Sequence, residues 1–486
     1  MFDLSLETQA FIRTAYGILL FIQFLIILPF SKTYFTTERF GGCLHSTPLR
    51  DKLLTPAAFF LIMTLWMGSA ACLALGIAPV LFGFINLALC CTFFVRMRWA
   101  SPLRGMGAPG YISYWLAGLV FFLEYSTHLG DPAGRLREVV ILAFRIDFAV
   151  MMIDSGINKI MHGYPKDMGM NYGMANPAWG YWPGIFKNFP PAGGLFRFFN
   201  HSAYFFQILG GVLMLIPPTQ WIGAFIIFGS FLLVKIVIRL GVLCDMLMLI
   251  TFLYTKPNGW FDQVLFKIMP NLSFASMNEH PAPAIVNGIL IAGFWAYIFL
   301  LPLLKFGMYT NLYLKKSLPG FFQKALEIFT NTFGLILWRV FTIDLIDYFI
   351  RIYFEDPATK KRTLYTQFGH WSPKQTNRFL WVGESIMTLI VFNTQRYFPQ
   401  TDLFRKRLLC YAGSMPCPKN ERMVFEYVIL NPTTSGFDYV PIKEYTVELS
   451  VGAIQEKVLS DLIPISERNK TSPVQGTARP GSYAPG

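Results

Sequence analysis

Charge is what this chain has least of. Asp, Glu, Lys and Arg make up 14% of its 486 residues, where soluble domains carry about 25%. Set against 54% hydrophobic and 17% aromatic residues, that shortage excludes an ordinary soluble globule and reads as an integral membrane protein. Acids are scarcer still, 28 against 41 Lys and Arg, for a net charge of +13. The basic surplus is scattered between apolar runs, which suits positive-inside loops and anionic headgroups, and no nucleic-acid motif accompanies it. Cysteines number seven and form no framework. Cys410 and Cys417 have a spacing that matches no standard zinc site and read as free thiols. A Gly-rich phosphate loop, HExxH, CxxC and a nucleophile elbow are all missing. So is a cleavable leader: the first apolar run follows Asp3 and Glu7 and reads as a first span.

What the chain does have is apolar runs of spanning length. They fall at about 9–30, 54–76, 79–95, 111–129, 139–161, 202–217, 220–239, 241–254 and 283–304. Pro79, Pro217 and Pro218 mark tight turns between neighbours. The expected fold is an all-α polytopic membrane bundle of about nine spans over 1–305, with a smaller α+β soluble domain over 356–465. Between them, 306–355 reads as amphipathic interfacial helices, with Asp347 and Arg351 spaced for an i,i+4 pair. The segments 423–431 and 444–452 read as strands joined by the turn-like PTTSGFD, and 379–399 as a helix. The tail, 466–486, is Pro/Gly-rich and expected to be disordered.

Lys and Arg concentrate in the odd-numbered connections. The first holds Lys32, Arg39, Arg50 and Lys52, the third Arg96, Arg98 and Arg104, and the fifth Lys166, Lys187 and Arg197. Lys305, Lys315, Lys316 and Lys324 follow the last run. This bias expects the N-terminus outside and the C-terminal domain in the cytoplasm, as for a protein of a bacterial inner membrane.

The stretch Ile141–His162 departs furthest from plain spanning sequence. Asp147, Asp154, Asn158 and His162 fall within roughly 80° on one helical stripe, while Lys159 points about 100° away from Asn158. Ionisable groups at membrane depth face a bundle interior, a partner or a water-filled cavity. The stripe is therefore a candidate pocket wall, with simple pairing to neighbouring helices as the plainer reading. The fifth connection, His162–His201, is rich in Gly, Pro, Trp and Tyr and reads as an interfacial anchor or a lid. Asn176, Trp179 and His201 join the candidate lining there. Lys235 and Asp245 form a second polar group beside a break at Gly241, and mutual pairing is the plain account of them. A bound metal is not expected.

FRIDFAVMMIDSGINKIMHGY, NPAWGYWPGIFKNFPP and FNHSAYFFQILGGVLMLIP, together about Arg145 to Tyr254, resemble a known membrane core. It is shared by lipase maturation factors, vitamin K-dependent γ-glutamyl carboxylases and bacterial horizontally transferred transmembrane domain (HTTM) proteins. Gly156-Ile157-Asn158-Lys159 is similar to their Gly-x-x-Lys pattern, and Gln207 stands where an acidic residue is expected. The resemblance implies two roles. One is an assembly, maturation or accessory factor that binds a protein partner or membrane lipid. The alternative is an intramembrane enzyme acting on a quinone-like or lipid substrate, with Lys159 as base and a quinone or bound lipid as cofactor.

Overall fold

A computed structural model describes residues 4–28, 31–42, 44–97, 107–268, 282–312, 314, 316–333, 343–365, 391–394, 401–418 and 420–468. The helix expected over 379–399 lies outside these except for a helical turn at 391–394, as does the tail from 469.

The bundle is built from α1 (Leu6–Ile27), α2 (Pro56–Leu75), α3 (Pro79–Arg96), α4 (Gly107–His128), α5 (Arg135–Met161), α6 (Gly194–Leu215), α7 (Gln220–Val237), α8 (Leu243–Thr251) and α9 (Ala284–Leu312). Local chemistry sets many of the boundaries. Ser5 and Thr55 each accept a hydrogen bond from the third amide of the helix they start, and Pro56 and Pro79 occupy first turns, positions where an orphan N–H is no loss. Gly76 ends α2 at φ +72°. Asp131 caps α5, its Oδ1 accepting from Leu136 N at 2.7 Å.

Among the described residues, six of these helices are long and apolar enough to cross a membrane: α1, α2, α3, α6, α7 and α9. The expected nine runs thus divide. Two more, α4 and α5, are long but carry more polar residues, and α8 is a short apolar helix. Small residues set the closest approaches. A Cβ on Gly156 would lie 2.8 Å from Tyr204 O of α6, and one on Gly211 would lie 2.8 Å from Ala149 O of α5. Gly223 stands against Gly210 O in the same way, locking α6 to α7. Such contacts hold helices together where apolar burial cannot, because lipid is as apolar as Leu.

The C-terminal region is a five-stranded antiparallel sheet ordered β2-β1-β3-β4-β5. Its strands are β1 (Tyr348–Glu355), β2 (Arg362–Leu364), β3 (Arg422–Pro432), β4 (Phe437–Glu448) and β5 (Ala453–Val458). The expected hairpin is β3–β4, though its second strand begins at Phe437 and turns at 449–452. Helix α11 (Thr401–Gly413) covers the apolar side, where Phe404 meets Tyr445 and Tyr411 meets Phe425. The other side carries charges that pair across strands, Arg351 with Glu426 at 3.1 Å and Arg362 with Glu444 at 2.8 and 2.9 Å.

Two expectations are corrected here. Among the described residues of the interfacial stretch, α10 (Gly320–Phe333) is an amphipathic helix, with Phe321 and Ile328 exposed. Residues 348–355 form β1, a run of Tyr, Phe and Ile that suits a strand. Arg351 therefore reaches Glu426 across the sheet, not Asp347, whose carboxylate accepts from Ser466 Oγ at 2.6 Å. The last apolar helix also runs past the expected end at 304 to Leu312, around an internal Pro302. Lys305 is consequently a buried helix residue and not a loop charge.

The sheet sits on one end of the bundle. Asn176 Nδ2 donates to Ile346 O at 2.8 Å and Tyr348 O at 2.7 Å, Tyr439 Oη to Ala175 O at 2.6 Å, and Lys406 Nζ to Glu38 Oε2 at 2.6 Å. The N-terminus gathers at the other end, where Ser5 Oγ donates to Asp262 Oδ1 and Arg137 Nη2 to Leu4 O, both at 2.6 Å.

Candidate functional site

Three helices meet around the polar stripe of α5, with α6 on one side and α9 on the other. Asp154 is 3% exposed and its carboxylate is fully engaged. Lys305 Nζ lies 3.1 Å from Oδ2, Tyr309 Oη donates to Oδ1, and Asn158 Nδ2 donates to Oδ1 at 3.2 Å. Asn158 also reaches Asp154 O at 2.9 Å and Tyr309 Oη at 3.2 Å. Lys305 and Tyr309 come from one face of α9 at i,i+4, one turn past Pro302. Sequence reading took Lys305 for a loop charge and passed over Tyr309. The signal was the pairing of an amine with a phenol four residues on, inside an otherwise apolar run.

Lys159 faces away from this group, as its helical angle requires. Its Nζ donates to Ser155 Oγ at 2.9 Å and to Gln207 Oε1 of α6 at 2.8 Å, and stands 5.9 Å from the centre of the Tyr164 ring. Among the described residues, then, Lys159 touches neutral oxygens while the neighbouring carboxylate is held by another amine. Gly156 lets α6 come close enough to deliver Gln207.

The remaining candidates separate into layers. Asp147, two turns before Asp154, is buried and accepts from Trp115 Nε1 at 2.8 Å. Beside it Arg145 Nε donates to Leu253 O at 2.9 Å, and Tyr254 Oη returns a bond to Arg145 O at 2.5 Å. His162 closes the helix, its Nδ1 donating to Asn158 O at 2.7 Å. His201 pairs with Tyr204 on its own helix at 2.5 Å. Asn176 belongs to the seam with the sheet, and its Oδ1 accepts from Ala178 N at 2.8 Å. Trp179 O accepts from Arg239 N at 2.6 Å, where Gly180 and Ile238 form a short bridge. Lys235 and Asp245 form an ion pair across the break at Gly241, whose φ is +57°.

The fifth connection is therefore neither a free lid nor a loose anchor. Residues 170–180 are buried throughout, packed between the bundle and the sheet, with Tyr172 edge-on to Phe437 at 5.0 Å. Trp182 and Ile185 beyond it are exposed.

Chemically, the arrangement pairs a balanced ion pair, Asp154–Lys305, with a second amine one turn away whose partners carry no charge. Buried charges are tolerated when paired and hydrogen-bonded, and Asp154 meets that condition. Comparison with protein-family models, with curated proteins and with solved structures gives no match.

Proposed function

We propose that this chain is an integral membrane protein that crosses the bilayer nine times, with α4, α5 and α8 as the polar or short inner crossings. Its core is similar to that of the lipase maturation factors, the vitamin K-dependent carboxylases and the HTTM proteins. Lys159 acts there as a base toward a quinone-like or lipid substrate. One observation carries this reading. Asp154 is occupied by Lys305 and Tyr309, and the hydrogen bonds of the Lys159 amine go to the neutral oxygens of Ser155 and Gln207. An amine held by neutral acceptors in a dry interior is one that can take a proton. The N-terminus faces outside and the sheet lies in the cytoplasm. Contacts of the sheet region with Glu38 of the first connection and with Ala175 and Lys187 of the fifth favour this, because those are Lys/Arg-rich connections.

The test is complementation of a deletion strain with Lys159→Ala and Lys159→Arg at matched membrane levels. Both are expected to fail. Full activity of Lys159→Ala would overturn the catalytic role. The accessory reading is favoured by a different observation, the exposed outer strand β5 at the edge of the sheet. Such an edge can add a strand from a partner protein. A variant with Val458→Pro, which removes an amide facing out from that edge, is expected to lose activity only if that reading holds.

A further inference from the structure

The first connection, between α1 and α2, is folded onto the bundle. Phe35 and Leu44 are fully buried in it, and the Phe35 ring meets Phe59 at 5.9 Å and Trp66 at 6.1 Å on α2. From this base the chain forms a short helix, Pro48–Leu53. Thr47 starts it, its Oγ1 accepting from Arg50 N at 3.3 Å, and Pro48 occupies the first turn.

Helical period sorts its side chains. Leu49 and Leu53 lie about 40° apart, Arg50 and Lys52 flank them on either side, and Asp51 falls on the opposite side. Leu49 is 67% and Leu53 53% exposed, while Asp51 accepts from Ser46 Oγ at 2.5 Å. Among the described residues no acid forms an ion pair with Arg50 or Lys52, and the connection's other acid, Glu38, is taken by Lys406 at 2.6 Å. The two leucines are not an isolated patch. Leu54 and Thr55 lead from them into α2, a helix apolar enough to cross a membrane, whose Phe60 and Leu61 are each 67% exposed. Two leucines are too few for a protein interface, which buries about 800 Å² per partner. They suit a helix lying in the membrane interface, its apolar side on the acyl layer and its long cationic side chains reaching back to the headgroups.

We propose that Pro48–Leu53 is an in-plane anchor that binds anionic phospholipid, with Leu49 and Leu53 entering the acyl layer and Arg50 and Lys52 holding the charged headgroups. The preference for an anionic head follows from the two cations. Each lies at the rim of a spanning helix without an acid paired to it, and a cation so placed favours an anionic over a zwitterionic surface by about fivefold. The inference rests on the membrane reading of the bundle and is independent of any role for Lys159.

The test uses the full chain in phosphatidylcholine nanodiscs carrying a trace of photoactivatable phosphatidylglycerol or, separately, of photoactivatable phosphatidylcholine with the same acyl chains. Crosslinked peptides are mapped by mass spectrometry. At low salt the phosphatidylglycerol probe is expected to label 46–54 at least about fivefold more than the phosphatidylcholine probe, and about 0.5 M sodium chloride should shrink that preference. Arg50→Gln combined with Lys52→Gln should remove it. Leu49→Ser combined with Leu53→Ser should lower labelling by both probes, and none of the four side chains belongs to the buried core. Equal labelling by the two probes, or a preference that survives the Gln variant, would overturn the proposal. So would absence of label at 46–54 while 57–65 of α2 is labelled. Absence from both segments would take the membrane reading down with it.

Discussion

Gln207 Oε1 accepts a hydrogen bond from Lys159 Nζ at 2.8 Å across the seam between α5 and α6. An acid at 207 would turn this contact into a buried ion pair and hold the amine charged. The amide satisfies the same donor without adding a charge.

Gln207→Glu is therefore expected to quench Lys159 as a nucleophile or base. A membrane-permeant electrophile such as fluorodinitrobenzene, applied at pH 8, should modify Lys159 in the parent chain. In the Glu variant modification should fall markedly, since a carboxylate there pairs with the amine in place of a neutral amide. Equal modification of both chains, read by peptide mass spectrometry, would show that residue 207 does not set the amine's charge.

The pair Asp154–Lys305 behaves differently, because both partners are buried. Lys305→Met takes the amine from a buried carboxylate, a loss of about 3–5 kcal/mol by the usual cost of an uncompensated buried charge. Combining it with Asp154→Asn should recover most of that, since the amide needs no counter-charge. Thermal unfolding in detergent checks both. Additive losses in the double variant would mean the two residues act separately.

Half of this site was readable before the fold was seen. The i,i+4 placement of Asp154 and Asn158, and the turn of Lys159 away from them, follow from helical period alone and hold in the structure. Lys305 and Tyr309 did not declare themselves. They lie 151 and 155 positions along the chain from Asp154, and a lysine after a hydrophobic run looks like the start of a loop. Nothing local says that Pro302 leaves the helix intact. The Asp347–Arg351 spacing misled for a related reason. Four residues is a helical neighbour distance, but Tyr, Phe and Ile around Arg351 favoured a strand, and the partner that decided the matter, Glu426, was 75 residues away. The fifth connection carried its message in composition: too apolar for a solvated loop, it proved to be buried packing under the sheet.

Gly156 is where helix packing and the amine meet. A Cβ there would lie 2.5 Å from Ile208 Cγ1 and 2.8 Å from Tyr204 O, and the backbone atom cannot swing aside. Gly156→Leu is expected to push α6 from α5 and cost about 1–3 kcal/mol or more, lowering the unfolding temperature and loosening the Lys159–Gln207 bond. Gly184→Ala, whose Cβ would meet nothing within 4 Å, should leave the unfolding temperature unchanged.

Asn176 joins the bundle to the sheet through two carbonyls on either side of Asp347. Asn176→Ala leaves both buried acceptors short of a donor, a cost of about 1–3 kcal/mol. The effect should be local. Hydrogen exchange in 346–352 is expected to quicken while α1 and α2 stay protected, and exchange unchanged at β1 would mean other contacts hold the seam.

Acid should weaken the sheet through Glu355, which lies on β1 beside Arg422 and Arg362, the latter at 2.7 Å. Burial pushes the Glu355 carboxyl up, but hydrogen bonds from the two guanidinium groups, reinforced by their charge, outweigh it and hold the group below its ordinary range. The unfolded chain, with an ordinary carboxyl near about 4.3, takes up a proton first as pH falls. The group's contribution is thus complete above that value and is lost as pH drops through the lower folded one. Melting of the full chain between pH 7 and 3 should show a descending acid limb. Glu355→Gln, melting lower at pH 7 because its amide no longer balances Arg422 and Arg362, should make that limb shallower. A limb of the same steepness in the variant would assign the acid sensitivity to other carboxylates.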